Sequence, residues 1–160
     1  WLSQRRNKAW YQLVKNGARY YPELIKKLEE DGEKETGYSR VGAINLHQDP
    51  EKLEKMAERA RKRREDAPEI GEITILTPNE TKALFPPLSK EYGAVYVSGG
   101  ARVNGRALRN ALVQGAKKNG ATFIEGNAIS LIREGHTIKG VEIEHDRLPA
   151  EQVLITGGAW

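Results

Sequence analysis

The chain has 160 residues, of which 38% are apolar and 30% are charged, and its net charge is +4. This length and composition fit one globular domain with a real hydrophobic core and exclude compositional disorder. No apolar run reaches the roughly 18 residues that a membrane span needs. The absence of Cys excludes disulfides, thiolate metal sites and Cys nucleophiles. The histidines lack metal-ligand spacing, so we predict no metal site.

The two ends of the sequence look like cut or processed ends. The chain begins at Trp1 without an initiator Met, and no signal-peptide apolar core follows, so we expect a cytoplasmic protein. It stops at Trp160, directly after an apolar run and two glycines. We interpret the chain as a piece of a larger protein.

Hydrophobic periodicity and capping residues predict four helices. The first extends from Asn7 to Glu30, and Pro22 is expected to kink it or to break it in two. The others are expected at 50–66 with Asp49 as N-cap, at 78–85 with a capping box formed by Thr77 and Glu80, and at 104–119 with Asn104 as N-cap.

Alternating or continuous apolar runs predict the strands. We expect them at 39–47, 70–76, 92–98, 121–132 in two segments hinged at Gly126-Asn127, 137–144 and 153–156. The last of these, Val153 to Thr156, is a continuous apolar run. It is expected to be buried on both faces, as in a parallel sheet.

A basic stretch from Arg59 to Arg64 in the second helix is typical of a nuclear-localisation or nucleic-acid-binding patch. Acidic residues are interleaved with it along 51–66, which favours ion pairs on a solvated helix face. No set of stacking aromatic residues accompanies it. We therefore favour the solvated face and expect no nucleic-acid partner. The alternative is a non-catalytic α+β module that binds an anionic partner through this helix.

Two glycine pairs are candidate sites. Gly99-Gly100 leads into the helix capped by Asn104, but the spacing is not that of a dinucleotide-binding GxGxxG. Gly157-Gly158 follows the terminal strand, where glycines allow close approach to a phosphate or dinucleotide. Taken alone, each pair is more typical of an ordinary turn.

The order of these elements resembles the FAD-dependent oxidoreductases of the D-amino-acid oxidase family, which includes glycine oxidase and sarcosine oxidase. The resemblance rests on GG followed by VNGRALRNAL, on GATFIEGNAISLI, and on HTIKGVEIEHDRLPAEQVLITGGAW. It is close from Tyr92 to Trp160 and looser before. It implies an α+β fold, with a mixed sheet of the substrate domain and packed helices mostly in residues 1–98. Residues 99–160 would hold partial elements of a Rossmann-like FAD-binding domain.

The resemblance also implies a site for FAD. The residue at the position of Ile129 would present its backbone to the adenine. The implied cofactor-binding residues are Asn127, Ala128, Ile129, Thr156, Gly157, Gly158, Trp160, Trp1, Leu2 and Ser3. No catalytic residue is identified, although Arg5 and Arg6 are candidates for a place near the flavin or a substrate carboxylate.

The chain also departs from the family pattern. Asn104-Gly105 stands where Asp-Pro is usual, which keeps an N-cap but loosens the helix start. The GxGxxG segment and the C-terminal part with a substrate-binding arginine lie outside these residues. We therefore expect the fragment alone to be inactive and to bind FAD poorly or not at all, because a helix N-terminus is the main pyrophosphate site of such folds.

The resemblance implies that the intact enzyme oxidises an amino acid or amine, such as a D-amino acid, glycine or a sarcosine-like compound. A hydride would pass to the flavin and leave an imine. The alternative within the same superfamily is a dehydrogenase acting on another substrate, such as glycerol 3-phosphate. An unpaired apolar edge at Val153 to Thr156 would invite association, so a homo-oligomer is also expected.

Overall fold

The computed structural model describes residues 8–158, and it has the expected α+β fold. The chain forms two compact units, one ending at Gly120 and one beginning at Ala121. The elements of the first unit are α1 (Lys8–Glu30), β1 (Ser39–Arg40), β2 (Ala43–His47), α2 (Pro50–Asp66), a 3-10 turn (Pro68–Ile70), β3 (Ile73–Leu76), α3 (Pro78–Leu84), β4 (Gly93–Val97), β5 (Ala101–Arg102) and α4 (Gly105–Lys118). The second unit contains β6 (Ala128–Glu134), β7 (Thr137–Ile143) and β8 (Asp146–Pro149).

The predicted helix caps are confirmed. The Asp49 side chain accepts a hydrogen bond from the Glu51 backbone N–H at the start of α2. Thr77 and Glu80 form the reciprocal hydrogen bonds of a capping box at the start of α3. The side-chain Oδ1 of Asn104 accepts from two backbone N–H groups at the start of α4. These caps depend on neighbouring residues only, which is why the sequence predicts them.

Helix α1 continues through Pro22, so of the two expected alternatives, a kink or a break into two helices, the break is wrong. A proline inside a helix removes one backbone hydrogen bond and costs about 3 kcal/mol. The following turns bury Ile25 and Leu28 against Leu108 and Ala111 of α4. Burial of such side chains contributes about 1.5–3 kcal/mol each, which is enough to keep the helix intact across the proline.

The core of the first unit lies on an antiparallel sheet in the order β2-β4-β3. Leu53, Met56 and Ala57 of α2 pack on Val95 in its central strand. A second cluster joins Ala67, Ile70 and Val97 at the end of the sheet. Four of the five residues of β4 are buried, as expected for a central strand covered on both faces.

The strand expected at 39–47 is interrupted at Val41-Gly42, so that prediction is wrong in part. Gly42 has φ +78°, a conformation that glycine adopts without strain. The partner strand is interrupted opposite it, between Val97 and Ala101, and a short pair of β1 and β5 continues beyond. The two pairs differ in register by one residue, because residues 41–42 lie opposite residues 98–100, and we call this irregularity the β-bulge of the first unit.

The strand expected at 70–76 begins later, at Ile73. Its first residue, Ile70, instead closes the 3-10 turn, and Gly71 follows with φ +74°. The strand expected at 92–98 is one residue shorter at each end.

The second unit is an antiparallel meander in the order β6-β7-β8. Strand β7 confirms the prediction for 137–144, and β8 is a strand that the sequence did not predict. Residues 121–127 form no strand, so the first of the two expected segments is wrong. Strand β8 has only four residues, Asp146 to Pro149, which is too short a segment for an alternating apolar pattern to predict it.

The prediction of a terminal strand at 153–156 is also wrong. Among the described residues, 153–156 pairs with no other strand. Leu154 and Ile155 are 86% and 76% exposed rather than buried. A strand is held by hydrogen bonds to its neighbours, so an apolar run without a partner remains irregular.

Candidate functional site

A cavity of about 490 Å³ opens in the first unit, where α1, β1 and the residues around Gly99-Gly100 meet. Its lining includes Gly17 and Tyr21 of α1, Tyr38 and Arg40 beside the β-bulge, and Glu69 of the 3-10 turn. Cavities of this size and mostly apolar lining are typical of small-molecule sites.

An ionic network ties α1 to the end of α2 beside this cavity. Arg19 donates from Nε to Glu69 Oε1 at 2.7 Å, and from Nη2 to the other carboxylate oxygen at 3.3 Å. The same Nη2 donates to the backbone carbonyl of Asp66. Lys15 Nζ lies 2.5 Å from Asp66 Oδ2, and this lysine is only 5% exposed.

These contacts shift the acid–base properties of the network. The hydrogen bond from Arg19 lowers the pKa of Glu69, and it raises the pKa of Arg19 in turn. The hydrogen bond from Lys15 lowers the pKa of Asp66. At neutral pH both carboxylates are therefore charged and paired, so Arg19 is neutralised by its partner.

Arg40 is the second cation of the cavity. Its Nη2 donates to the backbone carbonyl of Glu69 at 3.4 Å, a long hydrogen bond. Arg40 forms no ion pair with any described residue. The rings of Tyr21 and Tyr38 also line the cavity, and they are parallel within 5° with centroids 5.9 Å apart. The cavity thus combines an uncompensated guanidinium with aromatic faces.

Gly99 and Gly100 are required by close backbone packing. A Cβ at Gly99 would lie 1.8 Å from the backbone oxygen of Glu69, and a Cβ at Gly100 would lie 2.5 Å from the Ala43 backbone nitrogen. The sequence predicted a glycine bend between a strand and a capped helix here. The structure adds that the backbone at both glycines approaches neighbouring backbone closely, and that the two residues line the cavity.

The proposed adenine contact, Ile129, lies on a β-bulge in the second unit. Ala128 and Ser130 pair with the consecutive residues Ile143 and Glu142, so Ile129 between them has no cross-strand partner. It is 61% exposed. Asn127, just before the strand, donates from Nδ2 to Glu144 Oε1 at 2.6 Å. A bulge of this kind leaves backbone groups outside the ladder, which fits a backbone contact to a ligand.

The other cofactor-binding candidates are only partly described. Thr156, Gly157 and Gly158 lie exposed in the irregular segment after β8, and Gly158 has φ +71°. Among the described residues, no hydrogen bond or ion pair joins them to 127–129. Six candidates lie outside the described residues: Trp1, Leu2, Ser3, Arg5, Arg6 and Trp160.

The basic stretch of α2 forms contacts within the unit. Arg61 pairs with Glu54 at 2.8 Å. Arg63 lies over the Tyr11 ring at 4.8 Å, and burial lowers the pKa of its guanidinium. Arg64 donates to the Gly71 carbonyl at 3.4 Å. These contacts favour the solvated, internally paired helix face over an anion-binding surface.

No helix within residues 8–158 is long and apolar enough to cross a membrane. In the same part of the chain, no cluster of His, Asp and Glu side chains could hold a metal ion.

Sequence reasoning missed the cavity and its residues Tyr21, Tyr38 and Arg40. They come from segments far apart in the chain and follow no recognised motif. One local signal was available, because Gly17 interrupts a good helix pattern without a turn beside it. A glycine inside a helix costs about 1 kcal/mol relative to alanine and therefore invites an explanation.

Comparison with known proteins confirms the resemblance in the sequence. The family described as DAO, FAD dependent oxidoreductase, matches residues 1–160. The chain is 59% identical over 160 residues to an uncharacterized oxidoreductase, YurR, of Bacillus subtilis strain 168, and covers 43% of it.

Solved structures are similar over the whole chain. Iminodiacetate oxidase (IdaA) from Chelativorans sp. BNC1 has a TM-score of 0.92 and 38% identity, and the match covers 100% of this chain and 43% of that one. Glycine oxidase from Bacillus cereus ATCC 14579 shares the fold with a TM-score of 0.82 at 23% identity, over 99% of this chain and 43% of that one. The chain thus spans less than half the length of these relatives.

Proposed function

This chain belongs to the DAO family of FAD-dependent oxidoreductases, and we propose that it forms the central part of an enzyme that oxidises an amino acid or amine to an imine. The observation that carries the proposal is the similarity to iminodiacetate oxidase over the whole chain, with a TM-score of 0.92 and 38% identity. Iminodiacetate is an N-substituted glycine, which belongs to the same chemical class as sarcosine. We therefore expect a substrate with an amine on the carbon next to a carboxylate.

FAD, when bound, supplies the acceptor for the hydride that leaves this carbon, and water then hydrolyses the imine. The residues of this chain would bind the cofactor and orient it. In the proposal, the backbone of Ile129 contacts the adenine, and the bulge that frees it from the ladder supports this role. The hydrogen bond between Asn127 and Glu144 holds the start of β6 in place.

The remaining assignments are also part of the proposal. Small residues at Thr156, Gly157 and Gly158 would let the dinucleotide pack closely, with Trp160 beside it. Trp1, Leu2 and Ser3 would lie along the flavin, and Arg5 or Arg6 would lie near the substrate carboxylate. Residues 1–98 would belong mostly to the substrate domain and 99–160 to the FAD-binding domain.

Substrate-dependent bleaching of the flavin tests the reaction. The full-length protein that contains this chain is purified, its flavin is identified, and anaerobic reduction is measured with iminodiacetate, sarcosine, glycine and D-alanine. We expect reduction by at least one of these amines. Reduction by glycerol 3-phosphate instead would favour the rival dehydrogenase, and a flavin that no amine reduces would contradict the proposal.

Two substitutions at one position test the adenine contact. Ile129→Pro removes a backbone N–H outside the β6–β7 register, whereas Ile129→Ala keeps the backbone and removes only the exposed side chain. We expect the proline variant to retain far less FAD and the alanine variant to retain nearly all of it. Equal flavin content in the two variants would contradict a backbone role.

A cytoplasmic location and self-association remain predictions for the full-length protein. Cell fractionation tests the first, and light scattering of the purified protein tests the second.

A further inference from the structure

We propose that the cavity of the first unit binds a small aromatic carboxylate, with Arg40 as the charge partner of its carboxyl group. The inference rests on the first unit alone and does not depend on the flavin chemistry proposed above. Three features of the cavity carry it: the unbalanced charge, the aromatic and apolar walls, and a glycine that leaves the space open.

The charged groups of the lining do not cancel. Arg19 and Glu69 neutralise each other through two hydrogen bonds, the shorter of 2.7 Å. The charge of Arg40 is not compensated by a carboxylate of the described residues, since its contact at 3.4 Å is a long hydrogen bond to the Glu69 backbone oxygen. A guanidinium presents several donors in one plane and binds a carboxylate through two parallel hydrogen bonds. The cavity therefore selects for one negative charge.

The walls select the rest of the ligand. The parallel rings of Tyr21 and Tyr38 line the cavity together with apolar Val14, Pro22 and Val103. Aromatic side chains favour offset or edge contacts with another ring. A volume of about 490 Å³ lies within the range of small-molecule sites. A planar apolar body attached to a carboxylate satisfies both the walls and Arg40.

Gly17 keeps the cavity open at the cost of helix stability. It lies in the middle of α1 and lines the cavity, and a Cβ built there meets no atom within 4 Å. Packing therefore does not require glycine at this position, and alanine would favour the helix by about 1 kcal/mol. The same geometry makes Gly17 a position where a larger side chain can fill the cavity without disturbing the core.

Calorimetric titration of the full-length protein tests the charge requirement. The probes are phenylacetate, its neutral isostere phenylacetamide, and phenyl phosphate. We expect phenylacetate to bind at least about tenfold more tightly than phenylacetamide, because the amide lacks the charge that Arg40 pairs with. Equal affinity for acid and amide would overturn the proposal, as would tighter binding of phenyl phosphate or no binding of phenylacetate.

Paired variants assign the binding to this cavity. Arg40→Gln should weaken phenylacetate binding roughly 10- to 100-fold and leave phenylacetamide unchanged. Arg102→Gln makes the same charge change on β5, outside the lining, and should have little effect. Equal losses in the two variants would show only a long-range charge effect and would overturn the role of Arg40.

Gly17→Leu fills the cavity and should abolish phenylacetate binding, whereas Gly105→Leu, at another open glycine at the start of α4, should not. Unchanged binding in Gly17→Leu would place the ligand elsewhere. Thermal midpoints and flavin content are measured for each variant. If the protein binds phenylacetate but its flavin is not reduced by any amine, this inference stands and the proposed function is contradicted. The failures of the two proposals are therefore distinguishable.

Discussion

The two units of this chain reach their structures in different ways. In the first unit, α2 covers the three-stranded sheet and α1 packs against α4, so three apolar clusters are buried. In the second unit, Gly140 is the one buried residue between 121 and 158. Apolar side chains such as Ile129 and Leu154 are largely exposed there.

The comparison shows that an antiparallel meander is defined by its turns and ladder even where it buries almost no side chain. Such a sheet has little apolar burial of its own, and three strands need a covered hydrophobic face for independent stability. The following experiments, all on the full-length protein, separate the two kinds of structure.

The largest effect is expected in the core of the first unit. Ile70 is fully buried against Ala67 and Val97. Ile70→Ala should lower the free energy of unfolding by about 3–4 kcal/mol, since it removes buried methyl groups and leaves a cavity. The matched variant Ile70→Val should cost about 1 kcal/mol. Denaturant unfolding measures both, and equal small losses would show that this cluster is not a core.

The second-largest effect on stability is expected at the close backbone contact beside the cavity. Gly99→Ala would place a Cβ 1.8 Å from the Glu69 backbone oxygen, so the chain must shift and the β-bulge must open. We expect a loss of about 3 kcal/mol. Gly105→Ala, where a Cβ meets no atom within 4 Å, should cost little. Thermal unfolding compares the pair, and similar midpoints would show that the bulge tolerates a side chain.

A smaller effect is expected in the meander. A Cβ at Gly140 would lie 2.2 Å from the Leu148 backbone oxygen, between β7 and β8. Gly140→Ala should loosen this strand pair and cost about 2 kcal/mol. Amide hydrogen exchange should rise in β7 and β8 and stay unchanged at Val95 of β4. Faster exchange at Val95 as well would show that the two units unfold together, which would contradict their separate stability.

The smallest effect is expected on the loss of stability at acidic pH, and it should arise in the first unit. The hydrogen bond from Arg19 lowers the pKa of Glu69 below its ordinary value of 4.5. A lowered folded-state pKa contributes stability that is present above the ordinary value and is lost as pH falls through the lowered one. Glu69→Gln should therefore flatten the decline of the thermal midpoint from about pH 5 to about pH 3.

Glu151→Gln, at an exposed carboxylate of the second unit, serves as the control and should leave the acid decline as it is. The effect is small because the Arg19–Glu69 pair is partly exposed and screened. An identical decline of the thermal midpoint in wild type and Glu69→Gln would show that this ion pair does not contribute to the loss of stability in acid.

Local features of the fold were predictable from the sequence. The caps at Asp49, Thr77 and Asn104 were predicted at the right residues, because each cap depends on atoms within four residues. The breaks at Gly42 and Gly71 were not, since a strand ends where its neighbour bends away. The sequence predicted the FAD-dependent family correctly. The bulge at Ile129 became visible only when its partner strand was in place.

By itself the sequence determined the helices, their caps, the α+β class and the family, because periodicity, capping and motif order are encoded in neighbouring residues. The tertiary structure alone decided the cavity, the ion pair of Arg19 with Glu69 and the uncompensated charge of Arg40. Arg19 and Glu69 alone are fifty positions apart. Only packing of α1 against the end of α2 and the β-bulge brings them together. The terminal apolar run shows the same limit, since burial depends on a partner strand that the run itself does not specify.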